Sequence, residues 1–197
     1  MSTVEHIFTT SIYHSMEENI ELEHKLMEEI TETLKTTKTD HKSNMGGYQK
    51  ELKKYKQSFN DMIKRHGDQY LNMLEVKNYE INVLNAWFNI NPKYSYNISH
   101  LHPGAHFSGV YYLRAPKDSG MLRFWRDNDF VHMVFGTQKL PWVAPFRTHF
   151  PIEPKKYFLT IFPANLQHEV FQNNSDENRV SISFNLELVK KGEPPQE

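Results

Sequence analysis

There is no cysteine among the 197 residues, which removes disulfides and thiolate metal ligands together. Any metal held by this chain must therefore be bound through nitrogen and oxygen. Long apolar runs are missing too, and the opening MSTVEHIF has no charged segment leading into an apolar one. The expectation is a soluble, cytoplasmic protein without signal peptide or membrane span. Neither sign of charge is in excess, since 23 Lys+Arg face 24 Asp+Glu for a net charge of -1. That balance gives no electrostatic reason to expect nucleic acid or an anionic membrane as a partner. No internal repeat stands out, and the length suits a single domain, 1–197, able to bury a sizeable core.

What is present changes character near residue 80. Residues 1–80 are rich in Glu, Lys and helix formers. Ser15 followed by Glu18 has the spacing of a capping box, and Leu22, Leu26, Ile30 and Leu34 then form one helical stripe. The stretch KTTKTDHKSNMGG is predicted as loop by its polar and glycine content. Tyr48, Leu52, Tyr55, Phe59 and Met62 make a second stripe closed by Gly67, with a short third helix over DQYLNMLE. The basic run KELKKYK falls between those apolar positions, so it is a solvated helix face rather than a nucleic-acid patch.

From residue 81 to 190 the period becomes two. YEINVLNAWFNIN, FSGVYYLRAP, GMLRFW, KKYFLTIFP, LQHEVFQ and RVSISFNLELV all read as strands between Pro, Gly, Asn and Asp clusters. Many short strands with turn punctuation predict an antiparallel barrel or jelly roll, its helices flanking one face. KKGEPPQE reads as a tail covering 191–197. The tryptophans Trp87, Trp125 and Trp142 are expected mostly in the core.

Three histidines, His100, His102 and His106, lie within seven residues in HLHPGAH, just before an apolar strand. Residues two apart on a strand share a face, so His100 and His102 can point the same way. Pro103-Gly104 then turns the chain away from that face. A further histidine, His168, stands between Leu166 and Val170 in a later strand. Loop or core histidines would give the same letters. Two on one strand with a third far along the chain is nonetheless how an all-β barrel builds a metal site, and nitrogen donors suit Fe, Zn, Cu or Ni. In RVSISFNLEL, Val180, Ile182, Phe184 and Leu186 alternate with Arg179, Ser181, Ser183 and Asn185. An exposed strand would alternate likewise, but arginine followed by serine at i+2 also presents a carboxylate clamp.

The order His-x-His, SGVYYL, a distal His and then Arg-x-Ser resembles the Fe(II)/2-oxoglutarate-dependent dioxygenases, closest to their prolyl-hydroxylase-like branch. The likeness is strong over residues 81–188 and looser upstream through SNMGGYQ. It implies a double-stranded β-helix, with His100, His102 and His168 matching the iron ligands. Arg179 and Ser181 would match the pair that binds the distal carboxylate of 2-oxoglutarate, with Tyr112 beside them. One departure stands out: the superfamily normally pairs its first histidine with Asp or Glu, and this chain has His102 there. A carboxylate from Asp118, Asp127 or Asp129 could complete the set instead. The resemblance implies Fe(II), 2-oxoglutarate and O₂, release of succinate and CO₂, and hydroxylation of an unknown C–H substrate, a prolyl side chain by analogy.

The other reading is a cupin, which shares the barrel and also carries His-x-His with a distal His. His106 would then replace the cupin glutamate, and the protein would be an isomerase, a 2-oxoglutarate-independent dioxygenase or a sugar binder. Arg179, Ser181 and Tyr112 separate the two, because a cupin has no need of them. His132 and His149 are expected as ordinary loop residues.

Overall fold

The computed structural model describes residue 3 and residues 9–40, 42–126 and 148–192. The elements run β1 (Tyr13–Met16), α1 (Ile20–Thr36), β2 (Asn44–Met45), β3 (Tyr48–Glu51), α2 (Lys56–Met73) and β4 (Tyr79–Asn91). They continue through β5 (Tyr96–His100), β6 (Phe107–Arg114), β7 (Leu122–Trp125), β8 (His149–Ile152), β9 (Phe158–Pro163), β10 (His168–Val170) and β11 (Arg179–Lys190). Among the described residues every strand pairing is antiparallel. One sheet has the order β1-β9-β6-β11-β4-β3 and the other β2-β5-β10-β7-β8. The chain is thus mainly β, consistent with a jelly roll. No described helix is long and apolar enough to cross a membrane.

The strand alternation sorts the side chains of the six-stranded sheet between two environments. Phe88, Tyr111, Leu159, Ile161, Ile182 and Phe184 share a buried cluster with Leu22, Leu26 and Ile30 of α1 and Phe59, Met62 and Ile63 of α2. Burying each large apolar side chain contributes roughly 1.5–3 kcal/mol. On the opposite face Val110, Tyr112 and Phe162 pack against Leu122, Phe124 and Ile152 of the five-stranded sheet. The last member of the predicted α1 stripe, Leu34, is exposed.

The first 80 residues depart from the helical expectation. Tyr48 and Leu52 do not begin α2. Tyr48 lies in β3, which pairs with β4 and stacks its ring on Phe88, centroids 5.8 Å apart. Leu52 is fully buried and donates its N–H to the carbonyl of Ala86. Gly67 does not close α2, which runs on through Tyr70 and Leu71 and absorbs the expected third helix. A Cβ at Gly67 would meet Ile81 Cγ1 at 2.7 Å, so the glycine serves close approach of helix to sheet. The capping box is also displaced. Ser15 pairs with Leu159 in β1, and Asn19 caps α1 by accepting the Leu22 N–H at 2.9 Å. The asparagine wins because β1 claims the backbone around Ser15.

α2 starts at Tyr55, which offers no capping side chain. The missing acceptor comes from α1. Buried Glu29 takes the N–H groups of Lys53, Lys54 and Tyr55 at 2.5, 2.9 and 2.9 Å. A carboxylate at a helix N-terminus satisfies orphan donors and complements the helix dipole. Glu29→Ala should accordingly cost about 2 kcal/mol of stability, read from the urea midpoint, with Glu29→Gln falling in between.

Candidate metal centre and the adjoining cavity

His168 opens β10 and faces His100 of β5 on one side and Phe124 of β7 on the other. His100 owes its direction to an irregularity. Val170 pairs with Asn97 while His168 pairs with His100, so β5 carries one more residue than β10 across this stretch. Without that bulge His100 would share a face with Tyr96 and Ile98, which are exposed. The extra residue turns His100 to the side of buried Asn97.

His102 lies beyond the end of β5, so shared strand alternation with His100 is not what aims it. Its N–H donates to the Ala164 carbonyl at 3.0 Å, and its own carbonyl receives the Ala105 N–H. That pins the β5–β6 connection to the turn between β9 and β10. The three imidazoles meet there, with centroid separations of 4.9, 4.4 and 5.1 Å.

The donor set passes the test for a metal. One ligand atom from each histidine lies within 4.8 Å of the others. His100 Nδ1 lies 2.7 Å from the Ile98 carbonyl and His168 Nδ1 2.8 Å from that of Leu166. An imidazole that donates through Nδ1 keeps its Nε2 lone pair for an ion. His102 Nε2 and His168 Nε2 stand 3.2 Å apart. Two nitrogens bound side by side at about 2.0–2.1 Å from one ion would be separated by about 3.0–3.4 Å. Among the described residues no carboxylate joins the group.

Asp118 occupies a turn with φ +62° outside the cluster. Asp127, Asp129, His132 and Trp142 lie outside the described residues. His106 is likewise not part of the group; its Nδ1 accepts the Leu188 N–H at 3.2 Å. His149 opens β8 opposite Trp125. Phe162 sets its ring edge against that of His168 at 4.7 Å. Trp87 tilts against His102 at 5.8 Å; half-buried, it lines the site rather than filling the core.

From the histidines a cavity of 40 Å³ leads between the sheets to Tyr112, Ser181 and Arg179. At about 10–15 Å³ of such volume for each water, that is room for only a few waters, so a larger ligand must spread its walls. Ser181 pairs with Tyr112 on β6 and with Asn89 on β4, while Arg179 pairs with Asn91. The predicted alternation of β11 is therefore realised, with Val180, Ile182, Phe184 and Leu186 in the helix-covered cluster. Arg179 is 1% exposed and donates through Nη1 to the carbonyls of Ser119, Gly120 and Phe171. Among the described residues it has no carboxylate partner. Burial pushes its pKa down, opposed by Tyr112; burial also pushes the Tyr112 hydroxyl up to about 12, opposed by the Arg179 charge.

A second, open groove of 490 Å³ meets two of the three histidines, sharing Ser43, Trp87, His100 and His102 with the cavity. Gln49, Asn85, Asn185 and the exposed side chains of Ile98 and Leu101 line it. Sequence reasoning missed the polar ladder that Asn89 and Asn91 form beside β11. The signal was available, because Trp87, Asn89 and Asn91 recur at every second position of NAWFNIN.

The family model Putative 2OG-Fe(II) oxygenase matches residues 85–185. Among solved structures, a Pseudomonas putida prolyl-4-hydroxylase is similar with a TM-score of 0.63 at 14% identity, covering 93% of this chain and 95% of that one. A Burkholderia pseudomallei oxidoreductase of the 2OG-Fe(II) oxygenase family gives 0.60 at 14% identity, covering 89% and 84%. A viral collagen prolyl hydroxylase from Paramecium Bursaria Chlorella virus-1 gives 0.58 at 13% identity, covering 90% and 94%. No curated protein matches the sequence significantly.

Burial and the neighbouring imidazoles hold His168 down to about 3 and His102 down to about 4, and burial lowers His100 as well. All three are neutral, hence able to ligate, at neutral pH. Their folded pKa values lie below the unfolded value of about 6.5, so beneath that pH the unfolded chain binds more protons. The metal-free protein should lose stability as pH falls from about 6.5 towards 4. Melting temperatures across that range check this, and His168→Ala should flatten the slope.

Proposed function

The chain belongs to the 2OG-Fe(II) oxygenase family, and on that premise we propose that it hydroxylates a substrate C–H bond at a centre built from His100, His102 and His168. As a 2-oxoglutarate-dependent dioxygenase it uses Fe(II) as cofactor and 2-oxoglutarate and O₂ as cosubstrates, giving succinate and CO₂. Together the metal and its cosubstrates supply the oxidising power, which no side chain of this protein could. In this reading Arg179 binds the distal carboxylate of 2-oxoglutarate, Ser181 adds a hydroxyl donor, and Tyr112 directly across the sheet adds another.

One observation carries the reading. A three-imidazole cluster and a buried guanidinium without a carboxylate partner among the described residues line the same cavity. Phe162 and Phe124 pack against His168, and Trp87 stands at the junction with the open groove, which we assign to the primary substrate. The proposed substrate is a prolyl side chain, supported by the solved prolyl hydroxylases of the same fold. A cytoplasmic setting and a single domain, with 1–80 packing on 81–190, belong to the same proposal. With three neutral ligands the site is more positive by one charge than a site with one carboxylate, which favours a dianionic cosubstrate. His106 lies outside the cluster, which counts against the ligand role the cupin alternative gives it.

Arg179→Ala should leave Fe(II) binding intact while weakening 2-oxoglutarate by about 2–5 kcal/mol, measured by calorimetry on anaerobic Fe(II)-loaded protein. Arg179→Lys should also bind poorly, because a point charge does not copy the guanidinium fork. Undiminished binding by Arg179→Ala would sink the assignment. For the metal, His102→Ala and His168→Ala should lose iron equally on dialysis, and His106→Ala should keep it. His102→Asp should retain iron, bind 2-oxoglutarate more weakly and still form some succinate.

A further inference from the structure

The guanidinium of Arg179 is buried, yet nothing anionic among the described residues neutralises it. Its Nη1 corner instead meets three main-chain carbonyls, those of Ser119, Gly120 and Phe171. These come from two chain segments, the turn between β6 and β7 and the strand end after β10. The segments are held together by Phe171 N–H to the Met121 carbonyl and Asn174 N–H to that of Asp118, each at 2.9 Å.

Gly120 sits at the contact with φ +90°. A Cβ there would stand 2.1 Å from the Phe171 carbonyl oxygen, 2.7 Å from its carbon and 2.9 Å from the Gln172 oxygen. These neighbours are backbone and cannot swing aside. Any other L-residue would have to part the two segments that carry the carbonyls.

We propose that Gly120 is a positioning residue for cosubstrate binding: it lets the two segments close into a cage of carbonyl dipoles that aims the Arg179 guanidinium. The inference rests on the reading of Arg179 as the 2-oxoglutarate anchor. Neutral dipoles suit this task better than a carboxylate would. They offset the desolvation of the charge and fix its plane, but leave the full positive charge for the ligand. Among the described residues they also occupy only Nη1, so Nε and Nη2 remain as a fork for a carboxylate.

The test is Gly120→Ala in the full-length Fe(II)-loaded protein, compared with Arg179→Ala. The expected result is a 2-oxoglutarate Kd and KM raised about tenfold to a hundredfold, as for an ångström-scale misplacement. Iron affinity and uncoupled succinate formation at saturating 2-oxoglutarate should stay close to wild type, a split that general destabilisation would not give. If Arg179→Ala abolishes binding while Gly120→Ala binds normally, the cage inference is overturned. If Arg179→Ala also binds normally, the anchor reading itself fails. Should Gly120→Ala not fold, Arg179→Ala decides the matter: added guanidinium, but not ammonium, should occupy the vacant cage and restore 2-oxoglutarate binding, and failure to restore it overturns the cage.

Discussion

A positive charge placed between two sheets, with no carboxylate beside it among the described residues, is the constraint around which this structure is arranged. An isolated buried charge is costly unless dipoles or a ligand compensate it. The chain supplies dipoles: three carbonyls at Nη1 of Arg179, with Asn91 directly opposite it on β4. A partner carboxylate would have been the cheaper solution for folding, but it would have consumed the charge. The polar ladder on the inner face of the six-stranded sheet belongs to the same economy. Asn89 donates to Ser183 at 3.0 Å, and Ser108 to Asn185 at 2.8 Å, so hydroxyls and amides of β4, β6 and β11 bond to one another where an apolar filling would otherwise sit.

Because successive residues of a strand face opposite ways, the strands that carry these polar groups must bury their other faces elsewhere. Helices α1 and α2 perform that service. Val180 and Ile182 lie between the cavity residues of β11 in sequence and pack in the cluster that holds Phe59 and Leu26. The position of Arg179 and Ser181 therefore depends on contacts made on the far side of the sheet. Glu29, which joins α1 to the start of α2, and Gly67, which lets α2 approach Ile81, act on the site through this route.

The histidines obey a different requirement. A metal-binding imidazole must be neutral and held in one orientation; burial favours the neutral form of all three, and carbonyls next to Nδ1 orient His100 and His168. Irregular backbone does the aiming. One extra residue in β5 turns His100 inward, and the turn after it carries His102 across to the Ala164 carbonyl.

Much of this was legible in the residues themselves. The absence of cysteine restricted any metal to nitrogen and oxygen donors. The two-residue period of RVSISFNLEL determined that Arg179 and Ser181 share a face, because an antiparallel strand allows no other arrangement. β4 was readable in its full extent, and the pairing of distant histidines was readable as a site. What the letters could not settle was each feature that depends on a neighbour far along the chain. KELKKYK and the stripe above it carry a helical period, yet Tyr48 became a strand because β4 offered an unpaired edge. Gly67 looked like a helix end, while its reason is Ile81. His100 and His102 converge, but through a bulge and a turn rather than the alternation that first linked them. A bulge exists only relative to a partner strand, and a carbonyl cage only where two segments meet, so both were decided by tertiary structure alone.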